Sequence, residues 1–344
     1  MAQIRLRTNR IIEDFSLPYV VAEINTSHFG KVELAINMID QASRAGADCV
    51  KFQSWTETSL YSQTYYRENP IAKRFVKRFS LTSSQLAEIA SYCRSIGIDF
   101  ASTPYSIPEI DFLVDECRVP FVKIASMDIN NVALLEYVAL KKVPIVLSTG
   151  MSTAEEIRNA VDKIVSSGNT DIVILHCVSL YPTNASDVNL RNIEGLRSLF
   201  PDFPIGFSDH SLGTEISIAS VALGAAVIEK HITLDKTVIG MDNQMAIEID
   251  ELQFLIKSCR NIHSSLGAYE RKLSTGEMTQ RSVMRRSAVA ARDLIAGQKI
   301  DTSDVAFKRP GTGIRPDEID SILGKYLTRD VEIDTVFSIH DFDC

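Results

Sequence analysis

The sequence predicts a TIM (β/α)8 barrel followed by a small C-terminal β-rich domain. Apolar, β-branched runs recur eight times in about 270 residues, and each is followed by a polar turn and a helical pattern of apolar residues. The runs are continuous rather than alternating, which indicates strands buried on both faces and hence a parallel sheet. Eight repeats match the count of a TIM barrel, whereas an open doubly wound sheet usually has fewer strands and a glycine-rich first turn.

The predicted elements alternate along the chain. The strands are Tyr19–Glu23, Cys49–Gln53, Ile98–Thr103, Phe121–Ala125, Ile145–Ser148, Ile172–His176, Ile205–Ser208 and Ala226–His231. The helices between them place apolar residues on one side, as Leu34, Met38 and Ile39 do in the first. The predicted helices are Val32–Arg44, Ser83–Ile96, Thr153–Ser167, Leu190–Phe200, Gly213–Leu223 and Asp250–Leu266.

Several segments lie outside this repeat. Arg10–Glu13 is expected to form a small hairpin under the barrel. Tyr61–Arg78 is long for a βα connection, so we expect it to fold over the top of the barrel as an active-site loop. The predicted domains are a barrel over 1–270, a polar linker over 271–284 and a β-rich unit over 285–344. A unit of that size is marginal alone, so we expect it to dock on its own barrel or a partner's.

Composition excludes several classes of protein. Hydrophobic residues make up 45% and charged residues 23%, and the net charge of -8 argues against general binding to nucleic acid or anionic membranes. A local basic cluster can still bind an anionic substrate. The six cysteines form no C-x-x-C pair and are expected to be reduced core residues. The N-terminus resembles no secretory signal and no apolar stretch is long enough to span a membrane, so we expect a cytoplasmic protein.

Polar residues stand at the C-terminal end of all eight predicted strands, the edge at which α/β barrels build their sites. In chain order they are Glu23, Asn25 and His28; Lys51 and Gln53; Ser102, Thr103 and Tyr105; Lys123, Ser126 and Asp128; Ser148 and Thr149; His176, Ser179 and Tyr181; Ser208, Asp209 and His210; and Glu229, Lys230 and His231, followed by Asp242. Packing alone does not require charge at nearly every top position, so we expect a functional site there.

Two lysines among these residues indicate an anion pocket. Lys51 and Lys123 are expected to converge with small hydroxyl residues, and ammonium groups, hydroxyls and backbone amides together hold phosphate or carboxylate without a Walker loop. The hydroxyl residues are Thr103, Ser126, Ser148 and Ser208. The alternative is that each lysine merely pairs with Glu23, Asp128 or Glu229.

Two histidines indicate a metal site. His210 and His231 each end a predicted strand of one strand–helix–strand unit, and imidazole is a ligand for Mn, Fe or Zn. A divalent ion with two protein ligands would keep positions for water and a substrate oxygen. The alternative for each histidine alone is that it caps its strand by hydrogen bonding.

The ordered motifs resemble the sialic acid synthase family over residues 15–344. The barrel motifs are Val21-Ala22-Glu23-Ile24, Val50-Lys51-Phe52-Gln53, Lys123-Ile124-Ala125-Ser126, Leu147-Ser148-Thr149-Gly150-Met151, Gly206-Phe207-Ser208-Asp209-His210 and Glu229-Lys230-His231. The C-terminal segment, including Lys308-Arg309-Pro310-Gly311, resembles the antifreeze-like (SAF) domain of that family.

The resemblance implies an enzyme that condenses phosphoenolpyruvate with the open-chain aldehyde of an N-acylated hexose and releases phosphate by C–O cleavage. The sugar would be N-acetylmannosamine or a di-N-acetylated 6-deoxy relative. The resemblance also implies a domain-swapped homodimer. It further implies a divalent ion, expected to be Mn²⁺ with Mg²⁺ or Co²⁺ as alternatives, held by His210 and His231 to polarise the aldehyde oxygen.

The resemblance also implies a role for individual residues. Glu23 corresponds to an acid that handles protons near the metal and substrate, and it forms the catalytic set with the two histidines. The residues corresponding to positions that hold phosphoenolpyruvate are Lys51, Thr103, Lys123, Ser126, Ser148, Ser179 and Ser208. Those corresponding to positions around the sugar are Gln53, Asp128, Tyr181, Asp242 and Arg309, the last reaching from the SAF domain into the partner's site.

The chain departs from the commonest family pattern in two places. Ser179 stands where some members have an asparagine near the phosphate. The loop Gly240–Met245, which borders the sugar, lacks the proline usual before its aspartate, so a modified sugar such as a legionaminic or pseudaminic acid precursor is at least as well supported as N-acetylmannosamine. Two alternatives stay open: a Schiff-base aldolase on the same barrel and a catalytically silent carbohydrate-binding relative.

Overall fold

The chain begins with an antiparallel hairpin formed by β1 (Gln3–Arg5) and β2 (Ile11–Glu13) in the computed structural model, which describes residues 1–343. Ile4 and Ile12 of this hairpin are buried in one cluster with the side chains that fill the lower barrel interior, including Tyr19 and Phe121. The hairpin therefore closes the N-terminal end of the barrel, as the sequence predicts, and leaves the opposite end for a site.

Eight parallel strands form the barrel sheet. They are β3 (Tyr19–Glu23), β4 (Cys49–Gln53), β5 (Asp99–Thr103), β6 (Val122–Ile124), β7 (Ile145–Ser148), β8 (Ile172–Cys177), β9 (Ile205–Asp209) and β10 (Val227–His231). Their order in the sheet is β5-β4-β3-β10-β9-β8-β7-β6, and the two end strands lie against each other. The predicted barrel is confirmed, with strand ends within two residues of the predicted ones.

Helices follow each strand and cover the outside of the sheet. They are α1 (Val32–Ala45), α2 (Gln63–Glu68), α3 (Pro70–Phe79), α4 (Ser83–Ile96), α5 (Ile107–Asp111), α6 (Val132–Leu140), α7 (Ala154–Ser166), α8 (Asn192–Leu199), α9 (Glu215–Ala222) and α10 (Ile249–Leu266). Apart from α2 and α3, their apolar faces pack on the outer faces of the strands in one large core, which explains why the strands are continuously apolar.

The segment predicted to be an active-site loop over residues 61–78 contains the two helices α2 and α3. The Ser62 side chain accepts a hydrogen bond from the Tyr65 amide and so caps α2, and Pro70 occupies the first turn of α3, where it costs no hydrogen bond. Tyr66, Val76 and Phe79 bury the apolar sides of these helices together with Trp55. The sequence prediction missed these helices because both are short.

The second compact unit begins at Ala268. It contains α11 (Thr275–Met284), β11 (Ser287–Ala290), β12 (Val305–Lys308) and a 3-10 turn over Pro316–Ser321. The strands β11 and β12 pair antiparallel over a small core. The predicted linker over 271–284 is therefore largely helical.

Helix α11 begins where the Ser274 side chain accepts a hydrogen bond from the Glu277 amide at 3.1 Å, a local cap that the polar composition of this segment concealed. Within residues 1–343, no helix is both long and apolar enough to cross a membrane.

Gly206, the second residue of β9, lies where the packed barrel interior leaves no room for a side chain. A Cβ there would lie 2.5 Å from Leu175 Cδ2 and 2.8 Å from the Val227 carbonyl oxygen. We expect Gly206→Ala to lower the free energy of unfolding by about 1–3 kcal/mol, because the neighbouring strands must shift. Urea unfolding measures this. Gly195→Ala on the exposed face of α8, where a Cβ meets nothing within 4 Å, is the control and should be neutral or stabilising by up to about 1 kcal/mol. Equal stability of the two variants would contradict the packing.

Candidate active site

A cavity of about 400 Å³ opens at the C-terminal end of the barrel. Thirteen of the fifteen predicted site residues line it: Glu23, Lys51, Gln53, Thr103, Lys123, Ser126, Ser148, Ser179, Tyr181, Ser208, His210, His231 and Asp242. The parallel strands cause this convergence, because every strand delivers its last residues to the same end of the barrel.

The other two predicted residues lie elsewhere. Asp128 is half-buried in a 3-10 turn just after β6 and accepts a hydrogen bond from Asn131 at 3.1 Å, one residue beyond Met127, which lines the cavity. Arg309 is exposed and belongs to the second unit. The roles of both residues in sugar binding stay predictions.

Four buried charged side chains form the floor of the cavity. The Lys51 ammonium contacts the Glu23 carboxylate on the neighbouring strand and lies 3.7 Å from Glu229. The Lys123 ammonium lies 3.6 Å from the other oxygen of Glu229. All four side chains are nearly excluded from water. The lysines therefore do pair with acids, while both still line the cavity.

The protonation of this cluster follows from burial and mutual attraction. Burial raises the pKa of Glu23 to about 7, against the opposing effect of Lys51. Burial acts in the same direction on Glu229, but Lys123 and Lys51 outweigh it and lower the Glu229 pKa. Burial lowers the pKa of Lys123, and Glu229 offsets only part of that effect. Near neutral pH the cluster thus holds one firmly ionised carboxylate and one that readily exchanges a proton.

Small hydroxyl groups surround the lysines. Thr103 Oγ1 accepts from Lys51 Nζ at 3.4 Å, and Ser208 Oγ donates to Glu229 at 3.0 Å. The Ser148 hydroxyl is buried and has no hydrogen-bond partner in the described residues. An unpaired buried hydroxyl costs free energy, so its presence in the cavity that Lys51 and Lys123 also line favours a bound polar ligand.

Gly150 forms the backbone part of this pocket. Its amide donates to Ser126 Oγ at 2.9 Å, and a Cβ at this position would collide with the hydroxyls of Ser179 and Ser126. The missing side chain leaves a polar cradle of two hydroxyls at the end of β7. Ser179 therefore lies beside Ser126, one of the predicted phosphate-binding hydroxyls, and its own role in phosphate binding stays a prediction.

The two histidine rings lie next to each other in the wall of the cavity. Their ring centroids are 5.5 Å apart, and the Tyr181 ring lies 4.2 Å from that of His210. His210 Nδ1 lies 2.8 Å from the Val178 carbonyl oxygen. Because a carbonyl only accepts, Nδ1 carries the proton, and in the neutral ring Nε2 keeps its lone pair. Burial and the nearby His210 hold the pKa of His231 well below its usual range, so His231 is neutral.

A buried ion pair fixes the ends of the strands that carry these histidines. Lys230 Nζ lies 2.9 Å from Asp209 Oδ2 and donates to the Ser211 carbonyl at 2.6 Å. Asp209 Oδ1 also accepts from the Ser211 amide at 2.8 Å. Asp209 and Lys230 directly precede His210 and His231, and in parallel strands they point away from the cavity. Both residues stand among the polar residues at the predicted strand ends, and their pairing with each other appears only in the structure.

Aromatic and amide side chains line the outer part of the cavity. Gln53 Oε1 accepts from Trp55 Nε1 at 2.9 Å and from the Tyr105 hydroxyl at 2.8 Å. Asn25 donates to the Asp242 carboxylate, while its own side-chain oxygen is buried without a partner. Asn25, Trp55 and Tyr105 each stand two residues after the end of a strand. Asn25 and Tyr105 are among the polar residues predicted at the strand ends, whereas Trp55 was missed although it stands at the same offset.

The fold and the site define a class of protein, a TIM barrel with a basic, hydroxyl-rich cavity and two adjacent imidazoles. Comparison with known proteins then identifies the family. The NeuB family model matches residues 38–271 and the SAF domain model matches residues 285–343. The chain belongs to the NeuB family and ends in a SAF domain, which confirms the resemblance seen in the sequence.

Individual relatives are similar over most of their length. The N,N'-diacetyllegionaminic acid synthase of Legionella pneumophila is 36% identical over 330 residues, which cover 92% of this chain and 92% of the relative. The N-acetylneuraminate-9-phosphate synthase of Mus musculus is 36% identical over 327 residues, covering 92% and 90%. The crystal structure of the N-acetylneuraminic acid synthetase of Leptospira borgpetersenii in complex with citrate has a TM-score of 0.74 and 35% identity, covering 81% of this chain and 94% of that one.

The raised pKa of Glu23 predicts a pH dependence of stability. In the unfolded chain Glu23 loses its proton near its ordinary pKa of 4.5, whereas in the folded protein it keeps the proton up to about pH 7. The contribution of Glu23 to stability is therefore fully present below about pH 4.5 and is lost as the pH rises to about 7. The shift corresponds to about 3 kcal/mol.

Glu23→Gln cannot ionise at this position, so it should not show this loss of stability as the pH rises. Urea unfolding of both proteins at pH 5 and pH 8, followed by the fluorescence of the single tryptophan Trp55, measures the difference. The wild type should lose about 2.5 kcal/mol more than the variant between the two pH values, because part of the full shift already lies below pH 5. Parallel losses would show that Glu23 is ionised throughout.

Proposed function

We propose that this protein is a nonulosonic acid synthase that condenses phosphoenolpyruvate with the open-chain aldehyde of an N-acylated hexose and releases phosphate. The observation that carries the proposal is the convergence of Lys51, Lys123, Glu23 and two imidazoles on one cavity. The proposal is further supported by relatives that are named legionaminic acid and N-acetylneuraminate-9-phosphate synthases.

The basic end of the cavity suits phosphoenolpyruvate. Two ammonium groups face one firmly ionised carboxylate, Glu229, so an anionic ligand can complete the charge balance of the cluster. The phosphate would take hydrogen bonds from the hydroxyls around the Gly150 amide, and Ser148 supplies a donor that is otherwise unpaired. We propose that a substrate held there turns its C3 toward His210 and His231, which line the same cavity.

The histidine pair fits a divalent ion, although within residues 1–343 no cluster of three or more His, Cys, Asp and Glu side chains is arranged to hold one. His231 is neutral, and the His210 ring, with Nδ1 occupied by the Val178 carbonyl, offers Nε2 when neutral. Two nitrogen donors leave room for substrate oxygens. We propose that His210 and His231 hold Mn²⁺ or a similar ion, which when bound would act as a Lewis acid toward the aldehyde oxygen.

The proposed reaction forms a C–C bond and a C–O bond to water, and it breaks the C–O bond to phosphate. C3 of phosphoenolpyruvate attacks the aldehyde carbon, the oxygen of a water adds to the cationic C2, and one proton of that water goes to the aldehyde oxygen. The tetrahedral C2 then expels phosphate, which takes the remaining hydroxyl proton, and becomes the 2-keto group. Glu23, with a pKa of about 7 and a position beside Lys51, can hold the proton that moves in these steps. Lys51 and Lys123 stabilise the departing phosphate.

A Schiff-base aldolase is the second candidate, because burial lowers the pKa of Lys123 and so favours the neutral amine that such chemistry needs. The two reactions differ in their products and in their dependence on metal. Only the synthase reaction releases phosphate from phosphoenolpyruvate, and only the aldolase forms a lysine adduct that borohydride can trap.

The first test is phosphate release from phosphoenolpyruvate with Mn²⁺ across a panel of N-acylated hexoses, each repeated with EDTA. We expect release with N-acetylmannosamine or a di-N-acetylated 6-deoxy hexose, loss of release with EDTA, and at least a hundredfold loss of kcat, about 3 kcal/mol, in His210→Ala and His231→Ala. Release that survives EDTA, or borohydride trapping at Lys51 or Lys123, would reject the metal-dependent synthase.

We further propose that the protein works as a domain-swapped homodimer in which Arg309 contacts the acceptor sugar in the partner's site. Arg309→Ala should raise the sugar KM by about five- to 150-fold, the effect of losing a charged hydrogen bond of about 1–3 kcal/mol, and leave the phosphoenolpyruvate KM nearly unchanged. Lys299→Ala, which removes another exposed cation of the same unit, is the control and should change neither constant.

Mixed dimers test whether Arg309 acts in the partner. Co-expression of His231→Ala and Arg309→Ala chains creates dimers in which the intact barrel receives an intact Arg309 from the other subunit. We expect such dimers to regain the low sugar KM. Dimers that keep the high KM would place Arg309 at its own subunit's site and contradict the swap.

A further inference from the structure

We infer that Ser287 is a positioning residue for Arg309, because it holds the backbone of the loop 309–313 that carries the guanidinium. The inference rests on the proposed function, in which Arg309 contacts the acceptor sugar. Ser287 is the first residue of β11 and is fully buried. It has no access to a substrate, so it acts through Arg309 rather than on the reacting atoms.

The Ser287 hydroxyl bridges two backbone groups of this loop. Its Oγ donates to the Pro310 carbonyl at 2.7 Å and accepts from the Gly313 amide at 2.9 Å. Its backbone pairs with Lys308, the residue just before Arg309, in the β11–β12 ladder. One residue therefore fixes the chain on both sides of Arg309.

Helix α11 supports the loop from another side. The Gly311 amide donates to the Ser282 carbonyl at 2.8 Å. A Cβ at Gly311 would lie 2.7 Å from Arg285 Cβ, so only glycine allows the loop to approach the helix this closely. A Cβ at Gly313 would likewise collide with the backbone of Phe337. The loop is confined by its neighbours and not only by the serine.

Arg309 itself has no such anchor. Within residues 1–343 its side chain makes no ion pair or hydrogen bond, whereas the preceding Lys308 pairs with Asp334. The direction of an exposed, unpaired arginine depends on the backbone that carries it. Restricting that backbone lowers the entropy lost when the guanidinium binds a ligand, which is the physical basis of preorganisation.

Ser287→Ala removes both side-chain bonds and keeps the volume. Steady-state kinetics should show a rise of about three- to tenfold in the KM for whichever panel sugar, N-acetylmannosamine or the di-N-acetylated 6-deoxy hexose, gives turnover, with the phosphoenolpyruvate KM and kcat within about twofold. In an Arg309→Ala background the same substitution should change the sugar KM no further. Gly311→Ala, which displaces the loop from the helix side, should show the same pattern.

Hydrogen exchange supplies a readout that does not depend on turnover. The Gly313 amide should exchange faster in Ser287→Ala, because it loses its acceptor, while amides of β11 and β12 away from the loop keep their rates. Two control variants lie in the same unit. Ser303→Ala removes a hydroxyl bonded to Asp301 in a different turn, and Ile300→Val loosens the small core. Both should leave the sugar KM unchanged.

The outcomes separate the two proposals. An unchanged sugar KM in Ser287→Ala, beside a raised one in Arg309→Ala, overturns the positioning role and leaves the proposed function intact. The positioning role is also overturned if Ser287→Ala raises the sugar KM further in the Arg309→Ala background, because Ser287 would then act on the sugar KM independently of Arg309. A raised sugar KM in Ile300→Val overturns it too, because a general loosening of the unit would then suffice. If the Gly313 amide hydrogen exchanges at the same rate in Ser287→Ala as in the wild type, the hydrogen-bonded bridge from Ser287 to the loop is overturned. A silent Arg309→Ala overturns the positioning role and the proposed sugar contact of Arg309, whereas the synthase reaction itself stands or falls with phosphate release.

Discussion

Two lysines and two glutamates share the floor of the barrel cavity almost out of contact with water, and the site depends on how their charges are balanced. Burying a charged group costs free energy unless an opposite charge lies close by. Glu23, Lys51, Glu229 and Lys123 alternate in sign along the cavity floor, so each buried charge has an opposite charge beside it. Burial raises the pKa of Glu23, which gives the cluster an exchangeable proton. A cluster built in this way can accept an anion and a proton without rearranging the barrel.

The strand register of the barrel makes this balance possible. Glu23 is paired in register with Lys51 on one side and with His231 on the other. A shift of one residue would turn one of these side chains toward the surrounding helices, since side chains alternate along a strand. The same alternation sends Asp209 and Lys230 outward, where their ion pair holds the strand ends. Residues that face away from the cavity thus contribute to the geometry inside it.

The second unit contributes in another way. Its β11–β12 ladder and the helix α11 hold one exposed loop, which begins at Arg309, against Ser287 and the helix backbone. In the proposed function this unit adds the Arg309 contact to the sugar, while the barrel supplies the chemistry and the remaining sugar contacts. Such a division lets the loop around Asp242 and the loop of Arg309 change with the sugar without disturbing the buried charge cluster.

The sequence by itself determined the barrel, its terminal hairpin and most of the site. Continuous apolar strands are buried on both faces in any parallel barrel, and polar residues at their ends must then meet at one edge. It could not determine the helices over residues 63–79 or α11, because short helices depend on caps such as Ser62 and Ser274 more than on apolar periodicity.

Only the tertiary structure decided which acidic side chains pair with the two cavity lysines. The sequence left open whether the lysines pair with acids or form an anion pocket, and the structure shows Glu229 between Lys51 and Lys123 while both ammonium groups still line the cavity. It likewise decided that Gln53 bonds with Trp55 and that Ser287 reaches Pro310. Distances between side chains from different strands and turns arise from packing, which local sequence patterns do not encode.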